Sequence, residues 1–204
     1  MHRKKISKNL IAIIAVKKNS IRFPKKNLQM INKEPLFWHS IKPFLSILKP
    51  KDIYIATDSE AIKNFCKKKK INIIWRGPNK NEDEEQLFEV IKYAYSALNF
   101  SSKYVLSVLA NAPFHSIKNI KELKKQIITA KFDEVRSFDN GGNETGLFGF
   151  KSKIFSKRYE ISNHLGCIKG DAKEIHYKKE FNQIKNNLKR NLNEKKNSIF
   201  SIKG

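Results

Sequence analysis

The chain has 204 residues, 40% of them hydrophobic with 14 Phe, and a formal net charge of +23 at pH 7. That is enough apolar material for one domain with a substantial core and too little length for two, and it excludes a disordered chain. The positive excess raises nucleic acid or an anionic surface as a partner. It is mostly Lys spread along the chain among abundant Asn and Ile, as AT-rich codons produce, with no zinc-finger spacing and no aromatic RNA-binding signature, so nucleic-acid binding is disfavoured.

Met1 to Lys5 followed by the apolar run Leu10 to Val16 imitates a signal peptide, but the run ends in Lys17-Lys18 without a small-residue cleavage site. Nothing approaches the ~20 apolar residues of a spanning helix, so a cytoplasmic protein with no membrane partner is expected. Leu10 to Val16 reads as a first buried strand. Pro35 suits a helix start, and Leu36 to Leu48 is apolar enough for a buried helix that Pro43 would break or kink. A second strand spans Asp52 to Thr57, an amphipathic helix follows through Ile62, Phe65 and Cys66, and Ile71 to Trp75 is a third strand. The acidic run Glu82 to Glu85 opposes a helix dipole, and Leu87, Val90, Ile91, Ala94 and Leu98 then keep a helical period.

Lys103 to Leu109 reads as a fourth strand, ending in the Asn111 to Pro113 turn, with Ser116 as the cap of a helix reaching Ala130. Phe132 to Phe138 and Leu147 to Phe150 are further strands around the Gly141-Gly142 loop, and Ile175 to Tyr177 is a last strand before a helix bearing Phe181, Ile184 and Leu188. This alternation predicts an α/β fold: a three-layer α/β/α Rossmann-like sandwich on a mainly parallel sheet. One domain over residues 8–190 is expected, with a basic polar tail over 191–204. Cys66 and Cys167 are far apart and have no metal-ligand spacing, so both read as ordinary partly buried thiols.

In open α/β sheets the ligand lies beyond the carboxyl ends of the strands. There the first strand runs into a basic loop carrying Lys17, Ser20, Arg22, Pro24, Lys26 and Asn27. Arg offers a planar fork for phosphate oxygens, Lys a compact mobile charge, and Pro24 stiffens the loop. The blander reading is a solvated basic loop. On the same face the pattern puts Asp58, Arg76, Asn111 and the segment Glu174 to His176. Asp58 reads either as an anchor for ribose or loop amides or as a cap of the following helix, and Arg76 either as a ligand contact or as a surface arginine before a turn.

This loop resembles the signature I-P-A-R-G-G-S-K-R-x-P-x-K-N of the acylneuraminate cytidylyltransferase family, which includes CMP-sialic acid and CMP-Kdo synthetases. Ser20, Arg22, Pro24, Lys26 and Asn27 match it, while Lys17, Lys18, Asn19 and Ile21 depart from it. The similarity continues through Pro35-Leu36, Ala56-Thr57-Asp58 and Arg76-Gly77-Pro78, and more weakly at Leu109 to Pro113. It spans roughly residues 8 to 190. The resemblance implies the nucleotide-diphospho-sugar transferase fold and transfer of CMP from CTP to an acidic keto-sugar, a sialic acid-like nonulosonate or Kdo, for surface glycans.

On that reading Arg22 and Lys26 handle the triphosphate in catalysis and are expected to be exposed. Lys17, Ser20, Asn27, Asp58, Arg76 and Asn111 bind nucleotide, with Arg76 at the position that contributes to base recognition. The family's late D-x-D, which holds magnesium, aligns with Glu174-Ile175-His176, so Glu174 and His176 are the expected ligands of Mg2+ or another divalent cation. Nitrogen from His176 suits magnesium poorly, and on the residues alone the pair reads first as an exposed strand pair. Asn111 offers only neutral oxygen, and Ile21 removes a cation. Two other readings stand beside the enzyme: a nucleotide-binding homologue that has lost activity, and a basic nucleic-acid-associated protein. Relatives draw acceptor contacts and dimer contacts from the region matching Phe132 to Tyr159, which is short here; a homodimer is an expectation of the resemblance alone.

Overall fold

The computed structural model describes residues 7–77, 86–156 and 164–188. The acidic run over 82–85, Pro78, the basic amino-terminal residues, Tyr159 and the tail over 191–204 lie outside the described residues. The chain divides into two compact units, Met1–Glu174 and Ile175–Gly204.

The first unit runs through β1 (Ser7–Ala15), β2 (Met30–Ile31), β3 (Glu34–Pro35), α1 (Leu36–Ile41), β4 (Ile53–Thr57), α2 (Glu60–Lys68) and β5 (Asn72–Trp75), then α3 (Leu87–Ser96), β6 (Ser101–Val108), α4 (Ile117–Thr129), β7 (Glu134–Phe138), β8 (Glu144–Lys151) and β9 (Leu165–Lys169). Seven strands form one sheet in the order β5-β4-β1-β6-β8-β7-β9. β1 pairs in parallel with β4 and β6, β4 with β5, and β7 with β9, whereas β8 runs antiparallel to both its neighbours. In the second unit, residues 178–188 form a helix.

β1 is apolar without alternation because both of its faces are covered. Ala12 and Ile14 join a core with Phe37, Ile62 and Leu123 of α1, α2 and α4. Ile11 and Ile13 join a second core with Phe88, Ile91 and Phe148, on the α3 side. The unit is thus a three-layer α/β/α sandwich with a mainly parallel sheet, the arrangement expected from the sequence.

Local chemistry explains where elements stop. The helix expected over Leu36 to Leu48 ends at Ile41, and the chain tightens into a 3-10 turn over Lys42–Ser46 that contains Pro43, as a residue without an N–H requires. Ser59 and Ser116 cap α2 and α4 through their hydroxyls. Asn32 and Lys33 both have positive φ, 48° and 65°, and close the two-residue β2–β3 hairpin.

Two expectations are corrected. Residues 175–177 do not form a strand; among the described residues the last strand is β9, along the edge of β7. Its inward positions are Gly166 and Ile168, and Gly166 leaves no apolar signal. A Cβ there would come within 2.4 Å of the Phe132 ring, so only glycine lets the strand pass. The cysteines are not alike either: Cys66 is fully buried, and burial pushes its thiol up to about 12, whereas Cys167 is exposed on β9.

Candidate active site

β1 ends beside β4, where Val16 N–H donates to Ala56 O at 2.9 Å, and the chain then swings out into the basic loop. Three features give that loop its shape. Phe23 is buried and anchors it. Lys25 takes a left-handed φ of 54° at the entry to a 3-10 turn over Lys26–Leu28. Asn27 then reaches back across ten positions, its Nδ2 donating to Lys17 O at 2.9 Å. Asn27 Oδ1 is buried and accepts no hydrogen bond, leaving a strong acceptor available to a ligand donor.

The adjacent strand ends complete the frame. Asp58 Oδ1 accepts the Lys18 N–H at 2.7 Å, so this carboxylate fixes the basic loop through its backbone. It is not the helix cap, a role Ser59 fills. Arg76 N–H donates to Thr57 O at 3.1 Å, and Gly77 follows at φ 72°, a left-handed conformation that glycine adopts freely.

These pieces enclose a cavity of about 260 Å³ at the carboxyl ends of β1 and β6. Lys17, Ser20, Lys26, Asn27, Arg76 and Asn111 supply its polar lining, and Leu87, Val90 and Leu109 an apolar wall. Six of the residues singled out in the sequence thus face one space. Three carry positive charge, which suits a polyphosphate, while the apolar wall suits the flat face of a base.

Others fall elsewhere. Arg22 is exposed and outside that lining, whereas Lys26 is buried at 9% exposure, against the expectation that both side chains would be exposed. Glu174 is outside that lining, and its Oε2 accepts from Nδ2 of the lining residue Asn111 at 3.2 Å. His176 belongs to the second unit, where its backbone N–H donates to Glu180 Oε2 at 2.6 Å. Among the described residues no group of three or more His, Cys, Asp or Glu is arranged to hold a metal ion. The apolar wall leaves no site signal in the sequence: Leu87 and Val90 carry the helical period of a core face, and nothing local distinguishes a residue that lines a cavity from one that fills a core.

The chain is similar in sequence and in fold to known proteins. The family model described as Cytidylyltransferase matches residues 11–196. The N-acylneuraminate cytidylyltransferase of Streptococcus agalactiae serotype III (strain NEM316) is 26% identical over 173 residues, covering 82% of this chain and 41% of that protein. The chain therefore spans less than half the length of that relative. Among solved structures, a CMP:2-keto-3-deoxy-manno-octonic acid synthetase complexed with CTP superposes with a TM-score of 0.70 at 8% identity, covering 90% of this chain and 99% of that one. The 4-diphosphocytidyl-2C-methyl-D-erythritol synthase of Anaerococcus prevotii DSM 20548 gives a TM-score of 0.64 at 14% identity, covering 89% and 96%.

Proposed function

The chain belongs to the cytidylyltransferase family, and from that membership we propose that it transfers CMP from CTP to an acidic keto-sugar of the sialic acid or Kdo kind. The observation that carries the reading is the single cavity joining Lys17, Lys26, Arg76 and Asn27 at the carboxyl ends of parallel strands. A hydroxyl oxygen of the acceptor attacks the α-phosphorus, the bond to the β-phosphate breaks, pyrophosphate leaves, and the hydroxyl proton passes to solvent. Charge builds on the phosphoryl oxygens during that exchange, and cations fixed in advance stabilise it without reorganising. Lys26 and Lys17 do so from the loop, while Arg76 and the Asn27 amide hold the base end of CTP against the apolar wall.

A divalent ion such as magnesium, when bound, neutralises further phosphate charge. Glu174 offers one hard carboxylate and Asn111 an amide oxygen, and magnesium is commonly held by one or two carboxylates together with substrate phosphates. That donor set fits the ion through Glu174 without a contribution from His176. The strongly basic chain suits a substrate that is itself a carboxylate. No helix among the described residues is long and apolar enough to cross a membrane.

Pyrophosphate release from each of the four nucleoside triphosphates, with sialic acid and Kdo as acceptors and with or without magnesium, tests the proposal. CTP-dependent release with one of these acids is expected, and Glu174→Gln should raise the magnesium concentration required. Tight CTP binding without release under any condition would identify an inactive homologue, and equal use of ATP and CTP would refute the base preference.

A further inference from the structure

The walls of the cavity come from segments far apart in the chain, and one short helix touches both. α1 follows the β2–β3 hairpin directly, with Leu36 N–H donating to Gln29 O at 2.8 Å. His39 Nε2 lies 3.0 Å from Ile31 O; a carbonyl can only accept, so this nitrogen carries the proton and ties the hairpin to the helix. The next residue faces the other wall. Ser40 Oγ donates to Ala110 O at 3.0 Å, and Phe114 N–H donates to His39 O at 3.4 Å.

Ser40 is fully buried. A helical serine with only a local role turns its hydroxyl back to the carbonyl four residues earlier. Ser40 instead directs its proton across the fold to Ala110, a residue of the cavity lining. The following residue, Asn111, is the one whose amide donates to Glu174.

We propose that Ser40 is a positioning residue for nucleotidyl transfer: by holding the Ala110 carbonyl it sets Asn111, and through it the Glu174 carboxylate, against the Lys17–Asn27 loop. The role rests on the activity proposed above. Ser40 touches no substrate and acts only through the wall it fixes. The alternative is a hydroxyl that merely satisfies a buried carbonyl.

Two measurements on the full chain separate these. In Ser40→Ala, hydrogen–deuterium exchange should speed up at the amides of residues 109–114 while those of β1 and β4 keep their protection. In kcat/KM for the acceptor, Ser40→Ala should cost about tenfold in the native background and less than about twofold when Asn111→Ala is already present, because both changes remove the same arrangement. Equal losses in the two backgrounds, or unchanged exchange over 109–114, would overturn the assignment. Should the native protein release no pyrophosphate, the proposed activity falls, and the same cycle read on CTP affinity by calorimetry still decides whether Ser40 acts through Asn111.

Discussion

Replacing Asn27 by Ala separates what this side chain does for the fold from what it does for a ligand. The change removes the Nδ2 hydrogen bond to Lys17 O, a loss of about 1 kcal/mol. The half-buried Lys17 carbonyl can regain water, which keeps the loss at the low end. The change also removes Oδ1, a buried acceptor without a partner, and relieving such a group returns about 1–3 kcal/mol. Truncating a small side chain that is only 6% exposed costs a similar amount in lost packing. The terms nearly cancel, so unfolding should shift by no more than about 1 kcal/mol, or ~4 °C in Tm for a chain of this size. CTP affinity should fall by about tenfold or more, since the acceptor and the anchored loop are both gone. Thermal unfolding by circular dichroism, paired with titration calorimetry of CTP, reads both. Asn27→Asp makes a sharper comparison: it keeps an acceptor oxygen but loses the Nδ2 donor and adds a negative charge to the cavity that takes the anionic nucleotide, so its affinity should be lower still. A fall in Tm of more than about 8 °C with CTP affinity unchanged would refute the reasoning and make Asn27 a purely structural residue.

Lys26 and Arg22 are expected to differ. Lys26→Ala, from the cavity lining, should lower turnover by about 10²–10³-fold, whereas Arg22→Ala, outside that lining, should cost less than about tenfold in steady-state assays. The reverse ranking would show that the exposed arginine carries the phosphates. A third expectation concerns acid. His115 is 3% exposed, neither ring nitrogen makes a hydrogen bond, and Nδ1 stands 3.6 Å from Asp171 Oδ1. Burial pushes the imidazole down to about 4, with Asp171 opposing the shift. The unfolded chain therefore takes up a proton near pH 6.5 that the folded chain refuses. Stability from this group is complete above pH 6.5 and is lost as pH falls toward 4, by up to about 3 kcal/mol. Urea unfolding between pH 4 and pH 7 should show that slope, and His115→Gln should flatten it; an unchanged slope would exclude His115 as its source.

Much of this molecule is written in local pattern. β1 is legible because a strand covered on both faces must be continuously apolar, and the turn that follows because Lys, Asn and Pro cannot continue it. Pro43 marks the end of α1, and Ser116 the start of α4, through hydrogen-bonding rules that act within four residues. The order of motifs along the chain was enough to indicate the family. Tertiary structure decided what depends on neighbours distant in sequence. Gly166 carries no apolar signal, yet it makes β9 possible because Phe132 fills the space where a side chain would stand. Arg22 and Lys26 are equivalent cations in the sequence, and only the anchoring of Phe23 and Asn27 sends one outward and the other into the cavity. Glu174 was visible as a carboxylate, but its link to Asn111 across 63 positions, and the buried Ser40 that fixes the same wall, come from packing between segments. Periodicity reports which face of an element is apolar; which distant residue meets that face is settled only when the layers close.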